Sequence, residues 1–260
     1  MVGLDDARGV LYPARLPSFH RELAAPHLAG VVRWFWVPRW QLPEGAASRQ
    51  ELLPFPASNL VVEPDGVSLY GPTTRGSYRE LRGSGWAVGA LLRPAGLGSL
   101  CADPWNVRDT AVPFVAPDLH QKVMDSMGAD ETAARDAAVG AFAAWAAEHM
   151  VPDEAGLLAN AMEDLISADR TVVRVDQVAR HLGVSTRTVQ RLARRYIGLS
   201  PAAVIRRYRL QEAAQRLRLD PSTSIAQAAA DLGYADHAHL DADFRKVLGL
   251  APSSYRRTVQ

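Results

Sequence analysis

The chain has 260 residues and carries 29 Lys and Arg against 28 Asp and Glu, a net charge of +1; this length can bury a substantial core and favours two domains. A single cysteine, Cys101, excludes an intramolecular disulfide and a cysteine-rich zinc site, and no uninterrupted apolar run approaches the ~18 residues of a membrane helix. The charge is unevenly placed: from Thr171 onward there are 15 basic and 7 acidic residues, or +8, and from Met1 to Arg170 there are 14 and 21, or −7. A basic C-terminal part beside an acidic N-terminal part suits nucleic-acid binding by the former alone. The N-terminus lacks the basic-then-apolar pattern of a signal peptide, so the expected location is the cytoplasm.

Residues 1–115 hold most of the prolines and several strand-like runs. Leu28 to Val37 is rich in β-branched and aromatic residues, and Leu60 to Tyr70 has a turn at Pro64-Asp-Gly66 between two apolar arms. Trp86 to Leu92 reads as a further strand. Gly83-Ser-Gly85 followed by Gly89 lacks the spacing of a dinucleotide fingerprint and reads as a turn. Short strands divided by turn signals predict a β-sandwich or small barrel. Trp34, Trp36 and Trp86 are candidates to line an apolar pocket, with Arg93 or Glu63 orienting a polar ligand; plain core is the competing role for these aromatics. Cys101 reads as a small buried hydrophobe.

From Pro117 to Ala168 the pattern turns helical. Thr132 to Ala147 is alanine-rich, with Val139, Phe142 and Trp145 on one stripe. Pro152-Asp-Glu154 starts a further helix over Ala155 to Ser167. The expected division is a β-rich sensor or regulatory domain over 1–115, a helical connector over 116–152 and a DNA-binding domain over 153–260.

One helical unit then occurs twice. Val175 to Val184 aligns with Ile225 to Tyr234 at an offset of 50, and Gly198-Leu-Ser-Pro201 aligns with Gly249-Leu-Ala-Pro252 at 51. Each copy reads as a helix, a tight turn at Gly183 or Gly233, and a second helix ending at Gly198 or Gly249. That is helix-turn-helix geometry, in which the second helix enters the major groove. The first such helix, Ser185 to Tyr196, opens on an N-cap and carries four arginines and no acid. Arg187, Gln190 and Arg191 share a face where Arg forks onto guanine and Gln onto adenine. Ser185 and Thr186 lie at its start, and Arg194 and Arg195 fall nearer its end, against phosphates. In the second copy Asp236 is a natural cap, His237, His239 and Arg245 lie near the expected DNA face, and Asp241 has no evident structural role, so the first unit should carry most of the affinity. Ser200 and Pro201 start the helix that joins the units.

These residues, from Val178-Ala-Arg-His-Leu-Gly and Gln190-Arg191 through Ile225-Ala-Gln-Ala-Ala and Leu232-Gly-Tyr to Gly249-Leu-Ala-Pro-Ser-Ser-Tyr-Arg-Arg257, resemble the DNA-binding region of the AraC/XylS family of bacterial transcription regulators. The resemblance covers about a third of the chain. Where the second unit has Asp241 and Ala242, family members usually carry Ser or Thr and then Arg. Trp34-Phe-Trp36, Asn59-Leu-Val-Val62, Leu69-Tyr-Gly-Pro-Thr73 and Val88 to Gly96 are similar to the N-terminal domain of an uncharacterised branch of that family. The resemblance implies an α+β chain, a mainly-β cupin-like domain followed by helices and an all-α domain with two helix-turn-helix units. Its implied role is sequence-specific regulation of transcription on double-stranded DNA, with a small-molecule effector, a homodimer contact through 130–149, for which packing against the chain's own domain is the competing reading, and RNA polymerase as a partner if the protein activates. A ligand-independent architectural DNA binder is the alternative.

An enzyme is not expected. There is no Gly-x-Ser-x-Gly elbow, phosphate-binding loop or His-Glu-x-x-His helix, and Ser99-Leu-Cys-Ala-Asp103 resembles neither cysteine site of the DNA-repair methyltransferases that carry this DNA-binding region. No cofactor or metal is implied.

Overall fold

Strand periodicity explains the centre of the N-terminal domain. In the computed structural model, which describes residues 18–52, 54–128, 131–220 and 222–259, Phe35 and Val37 enter one core while Trp34 enters another, with Trp36 packed against it, as alternation along a strand requires. The strands are β1 (Ser18–Leu23), β2 (Val32–Gln41), β3 (Ala47–Leu52), β4 (Asn59–Glu63), β5 (Gly66–Tyr70), β6 (Ser77–Arg82), β7 (Ser84–Trp86), β8 (Val88–Leu92) and β9 (Ala111–Pro113). An antiparallel sheet runs β1-β2-β8-β4-β5-β9, with β7 on the far end of β2, and β3 pairs β6 in a second, two-stranded sheet. The ladder beside β2 is interrupted at Ala87, whose N–H donates to Pro38 O at 3.2 Å. The predicted strand over Leu28 to Val37 starts later than expected, because Pro26–Leu28 forms a 3-10 turn. The predicted turn at 64–66 joins β4 and β5 as read.

The expected glycine turn is corrected in part. Gly83 turns the chain with φ +53, but Gly85 and Gly89 lie in strands, where an added Cβ would meet the Trp40 ring at 2.3 Å and the Trp36 ring at 2.1 Å. They are seats for cross-strand indoles.

Helices α1 (Pro94–Leu100), α2 (Pro117–Ser126) and α3 (Glu131–His149) follow. Val139, Phe142 and Trp145 of α3 are buried in the core that contains Phe35, with the Phe35 and Phe142 rings 5.5 Å apart. Of the two readings of this stripe, packing against the chain's own sheet is the one seen; residue 130 lies outside the described residues. The exposed side of α3 carries Ala137, Gly140 and Ala144 instead.

Helix α4 (Glu154–Ala168) is capped by Asp153, which accepts from Gly156 N at 2.7 Å and from the Tyr196 hydroxyl at 2.6 Å. Buried Asn160 fastens α4 to the β-domain: its Oδ1 accepts from Ala95 N at 3.0 Å and its Nδ2 donates to Gly30 O at 2.7 Å. The Tyr196 and Gly156 hydrogen bonds hold the Asp153 carboxyl below its ordinary range. A group depressed in the folded state adds stability above its unfolded pKa, near pH ~4, and loses it as pH falls through the folded value. Asp153→Asn is expected to flatten the acid limb of a thermal-melt series below pH ~4; an unchanged limb would mean that Asp153 plays no part in it.

The C-terminal elements are α5 (Val175–His181), α6 (Thr186–Leu192), α7 (Pro201–Leu219), α8 (Ile225–Asp231), α9 (His237–Leu248) and α10 (Pro252–Val259). The duplication appears in the backbone: Gly183 and Gly233 have φ +65 and +68, and Gly198 and Gly249 have φ +80 and +75. Each pair sits in the left-handed region, which glycine enters without steric cost. Helix α7 divides its burial between the units. Val204, Ile205 and Tyr208 join a core with α4, α5, α6 and Phe55 of the β-domain, while Leu210, Ala213, Ala214 and Leu217 join the core of α8, α9 and α10.

Candidate nucleic-acid interface and cavity

The side chain of Ser185 caps α6 by accepting from Thr188 N at 3.1 Å. The helix turns Val189 and Leu192 inward and leaves Thr186, Arg187, Gln190 and Arg191 exposed. Among the described residues, the side chains of Arg187, Gln190 and Arg191 have no hydrogen-bond or ion-pair partner. Fixed at i, i+3 and i+4, they form one cationic, hydrogen-bonding strip. The expected single helix to Tyr196 changes form after Leu192, continuing as one π-turn over Ala193–Ile197.

That turn redirects the two remaining arginines. Arg194 lies 4.8 Å from the Trp105 ring centre, and Arg195 donates to Cys101 O at 3.1 Å and covers Tyr196. Both remain exposed at the helix end expected to face phosphates, and each also has a protein partner in or near the β-domain. Trp105 is also covered by Arg108 at 3.5 Å, and it shares a shallow depression with Gln190 and Arg194. Gly198 permits this docking, since a Cβ there would lie 2.3 Å from Pro104 O.

In the second unit Asp236 caps α9, accepting from His239 N at 2.8 Å. Asp241, which had no assigned role, accepts from Arg245 Nε at 2.7 Å one helical turn away. The acid is explained by that pair, and Arg245 is engaged locally. His239 meets the Tyr234 ring edge-on at 5.2 Å, and His237 is exposed at the helix start. The second face therefore offers fewer uncommitted donors than the first.

A cavity of about 460 Å³ lies between the β-domain's two sheets. Trp34 and Trp36 line it as predicted, with Trp36 Nε1 donating to Asn59 Oδ1 at 2.9 Å. Trp86 and Arg93 do not. Trp86 packs against the α3 side of the sheet, and Arg93 donates to Asp164 Oδ2 at 2.6 Å on α4. Glu63 is paired with Arg79 beside Tyr70. Cys101 is half-buried, and burial pushes its thiol pKa up.

Residues 178–258 match the family described as helix-turn-helix domain. The C-terminal module is an AraC-type helix-turn-helix domain. Residues 20–112 match a domain of unknown function, DUF6597. An uncharacterized HTH-type transcriptional regulator of Haemophilus influenzae is 32% identical over 85 residues, 33% of this chain and 28% of its own length; the chain thus spans less than a third of that relative. Among solved structures, a probable AraC family transcriptional regulator from Rhodopseudomonas palustris is 26% identical over 40% of this chain and 97% of its own, with a TM-score of 0.36. ToxT from Vibrio cholerae is 13% identical over 94% and 98%, with a TM-score of 0.46.

Around the AraC-type module, sequence reasoning missed Trp105, Pro104 and Glu163. Asp103-Pro-Trp-Asn106 reads locally as an ordinary turn, and nothing in it signals a partner 90 residues away. Glu163 had a signal: an acid on the inward face of an amphipathic helix calls for a cation opposite. Among the described residues, no helix is long and apolar enough to cross a membrane.

Proposed function

We propose that the protein is a sequence-specific DNA-binding regulator of transcription, with its β-domain cavity taking a small-molecule effector. The observation that carries the first half is the exposed strip Arg187, Gln190 and Arg191, held without protein partners on a capped second helix. Such a strip meets base edges when that helix lies in the major groove. Thr186 and Ser185, at the helix start, face the flanking phosphates. The 19 residues of α7 span about 28 Å at ~1.5 Å each, comparable with the roughly 34 Å of one DNA turn, so two units on one face of the duplex are compatible with its length. His237, His239 and Arg245 make the weaker, second contact.

Arg191→Ala is expected to cost about 1–3 kcal/mol and to relax preference at one base position. Titration of the purified protein against a panel of single-position site variants, at fixed salt, measures it. If the variant binds every site as the wild type does, α6 does not present this face to DNA.

A further inference from the structure

The cavity's lining defines what fits it. Trp34, Trp36, Trp40 and Phe55 line it, and the nearby charges are already engaged: Arg79 pairs with Glu63 and donates to the Tyr70 hydroxyl at 3.4 Å, and Arg21 lies 4.4 Å from the Trp34 ring centre. A sugar needs many directed hydrogen bonds, and much of the polar lining is already paired: Asn59 accepts from Trp36, Gln50 donates to Ser48 and Thr73 accepts from Phe55 N. A planar apolar molecule of about two or three rings suits both the surface and the volume.

Two backbone segments meet at one wall of this cavity. Gly71 N donates to Thr110 O at 3.0 Å, Asp109 N donates to Pro72 O at 3.2 Å, and an added Cβ at Gly71 would collide with Val107 O. The Asp109 carboxylate closes the seam, accepting from Thr74 N and from Thr74 Oγ1, each at 2.6 Å. Asp109 has φ 56, the only left-handed non-glycine residue among the described residues, a conformation that persists where surrounding contacts over-determine it. It also lines the cavity.

Both segments continue into the DNA-binding region. The Asp109 segment carries Trp105, which lies against Arg194 beside Gln190 of the first unit. From the Thr74 segment, the Thr74 carbonyl accepts from Arg207 of α7, and Gly76 N donates to Val247 O of α9 at 2.6 Å. One clasp therefore touches the cavity, the first recognition helix, the linker helix and the second unit.

Resting on the reading of this cavity as an effector site, we propose that its ligand is a planar, mainly apolar aromatic molecule and that the Thr74–Asp109 clasp reports its binding to both helix-turn-helix units. A ligand pressing on Asp109 and Thr110 shifts the seam, and the seam holds Trp105 on one side and Arg207 on the other. DNA affinity then changes by the ligand's differential affinity for the two arrangements.

The test uses the full chain, 2-naphthol and D-glucose as probes, and the duplex selected by the protein itself. 2-Naphthol is expected to quench tryptophan fluorescence saturably and to change DNA affinity at least about fivefold, with D-glucose inert. Val61→Phe, which fills the cavity, should weaken naphthol binding about tenfold or more. Thr74→Val, outside the lining, should retain naphthol affinity but reduce the DNA response to under about twofold; Thr74→Ala, which removes the same hydroxyl with a smaller side chain, is the second variant if Thr74→Val does not fold. An equal DNA response in wild type and the folded clasp variant, or naphthol binding without any DNA response, overturns the clasp. Binding of D-glucose but not 2-naphthol overturns the ligand class while leaving the effector site standing. Failure of both probes, with Val61→Phe unchanged in DNA binding, overturns the ligand class and the effector-site reading together.

Discussion

Glu163→Ala is expected to lower the stability of the folded chain by about 3–5 kcal/mol, because it removes the shared partner of a buried charge network. The Glu163 side chain is 1% exposed and the Arg33 side chain 12%. Glu163 Oε2 accepts from Arg33 at 2.7 Å and lies 3.6 Å from Arg93, and Oε1 accepts from the Tyr208 hydroxyl at 2.8 Å. Burial works against the Arg33 charge, yet Glu163, Tyr208 and Asp164 together outweigh it and hold its pKa above the ordinary arginine range. With Glu163 gone, Arg33 is left in the interior with Asp164, 3.6 Å away and half-exposed, and the Trp34 ring, 6.0 Å away. The network joins β2, the start of α1, α4 and α7, so the loss also loosens the seat of the DNA-binding region. Denaturant unfolding measures it; a change under about 1 kcal/mol would mean that the site rehydrates freely and that the network does little.

The combined change Arg187→Ala and Arg191→Ala is expected to reduce specific DNA affinity about a thousandfold, roughly 4 kcal/mol, as the near-additive loss of two uncommitted contacts. Stability should hardly move, since both side chains are exposed without protein partners. The matching change of Arg194 and Arg195 separates the faces. Those two are engaged with Trp105 and Cys101 O, so their loss should alter DNA affinity less and the docking of the β-domain more. Equal losses from both pairs, measured at one salt concentration, would show that α6 acts only as a diffuse basic surface.

The duplication was legible because each unit is local: a turn glycine, an apolar stripe and a capping residue lie within about one helical hairpin, and Gly183, Gly233, Gly198 and Gly249 each sit where the repeat put them. Trp34 and Trp36 were legible only as candidates with plain core as the competing role, and they line the cavity while Trp34 is also core. Arg93 and Trp86 do not line it, since one residue of register or one strand break decides which face a side chain joins; the break at Ala87 puts Trp86 on the α3 side. The α3 stripe shows the same limit. Val139, Phe142 and Trp145 declare that a face is buried but not what buries it, and here Phe35 of the same chain does. The inward acid Glu163 signals that some cation lies opposite but not that it is Arg33, 130 residues away, and Arg194 carries no local sign of Trp105, because arginines look alike in sequence whatever they meet.

Whether α6 reads bases decides between a sequence-specific regulator and a diffuse basic surface. Binding-site selection from random duplex with the purified chain, repeated with Gln190→Ala at the same salt, tests it. Two enriched motif halves about one helical turn apart are expected, with Gln190→Ala losing preference at an adenine in one half and leaving the other intact. An identical motif from both proteins, or no enrichment from the wild type with or without 2-naphthol, would contradict base reading by α6.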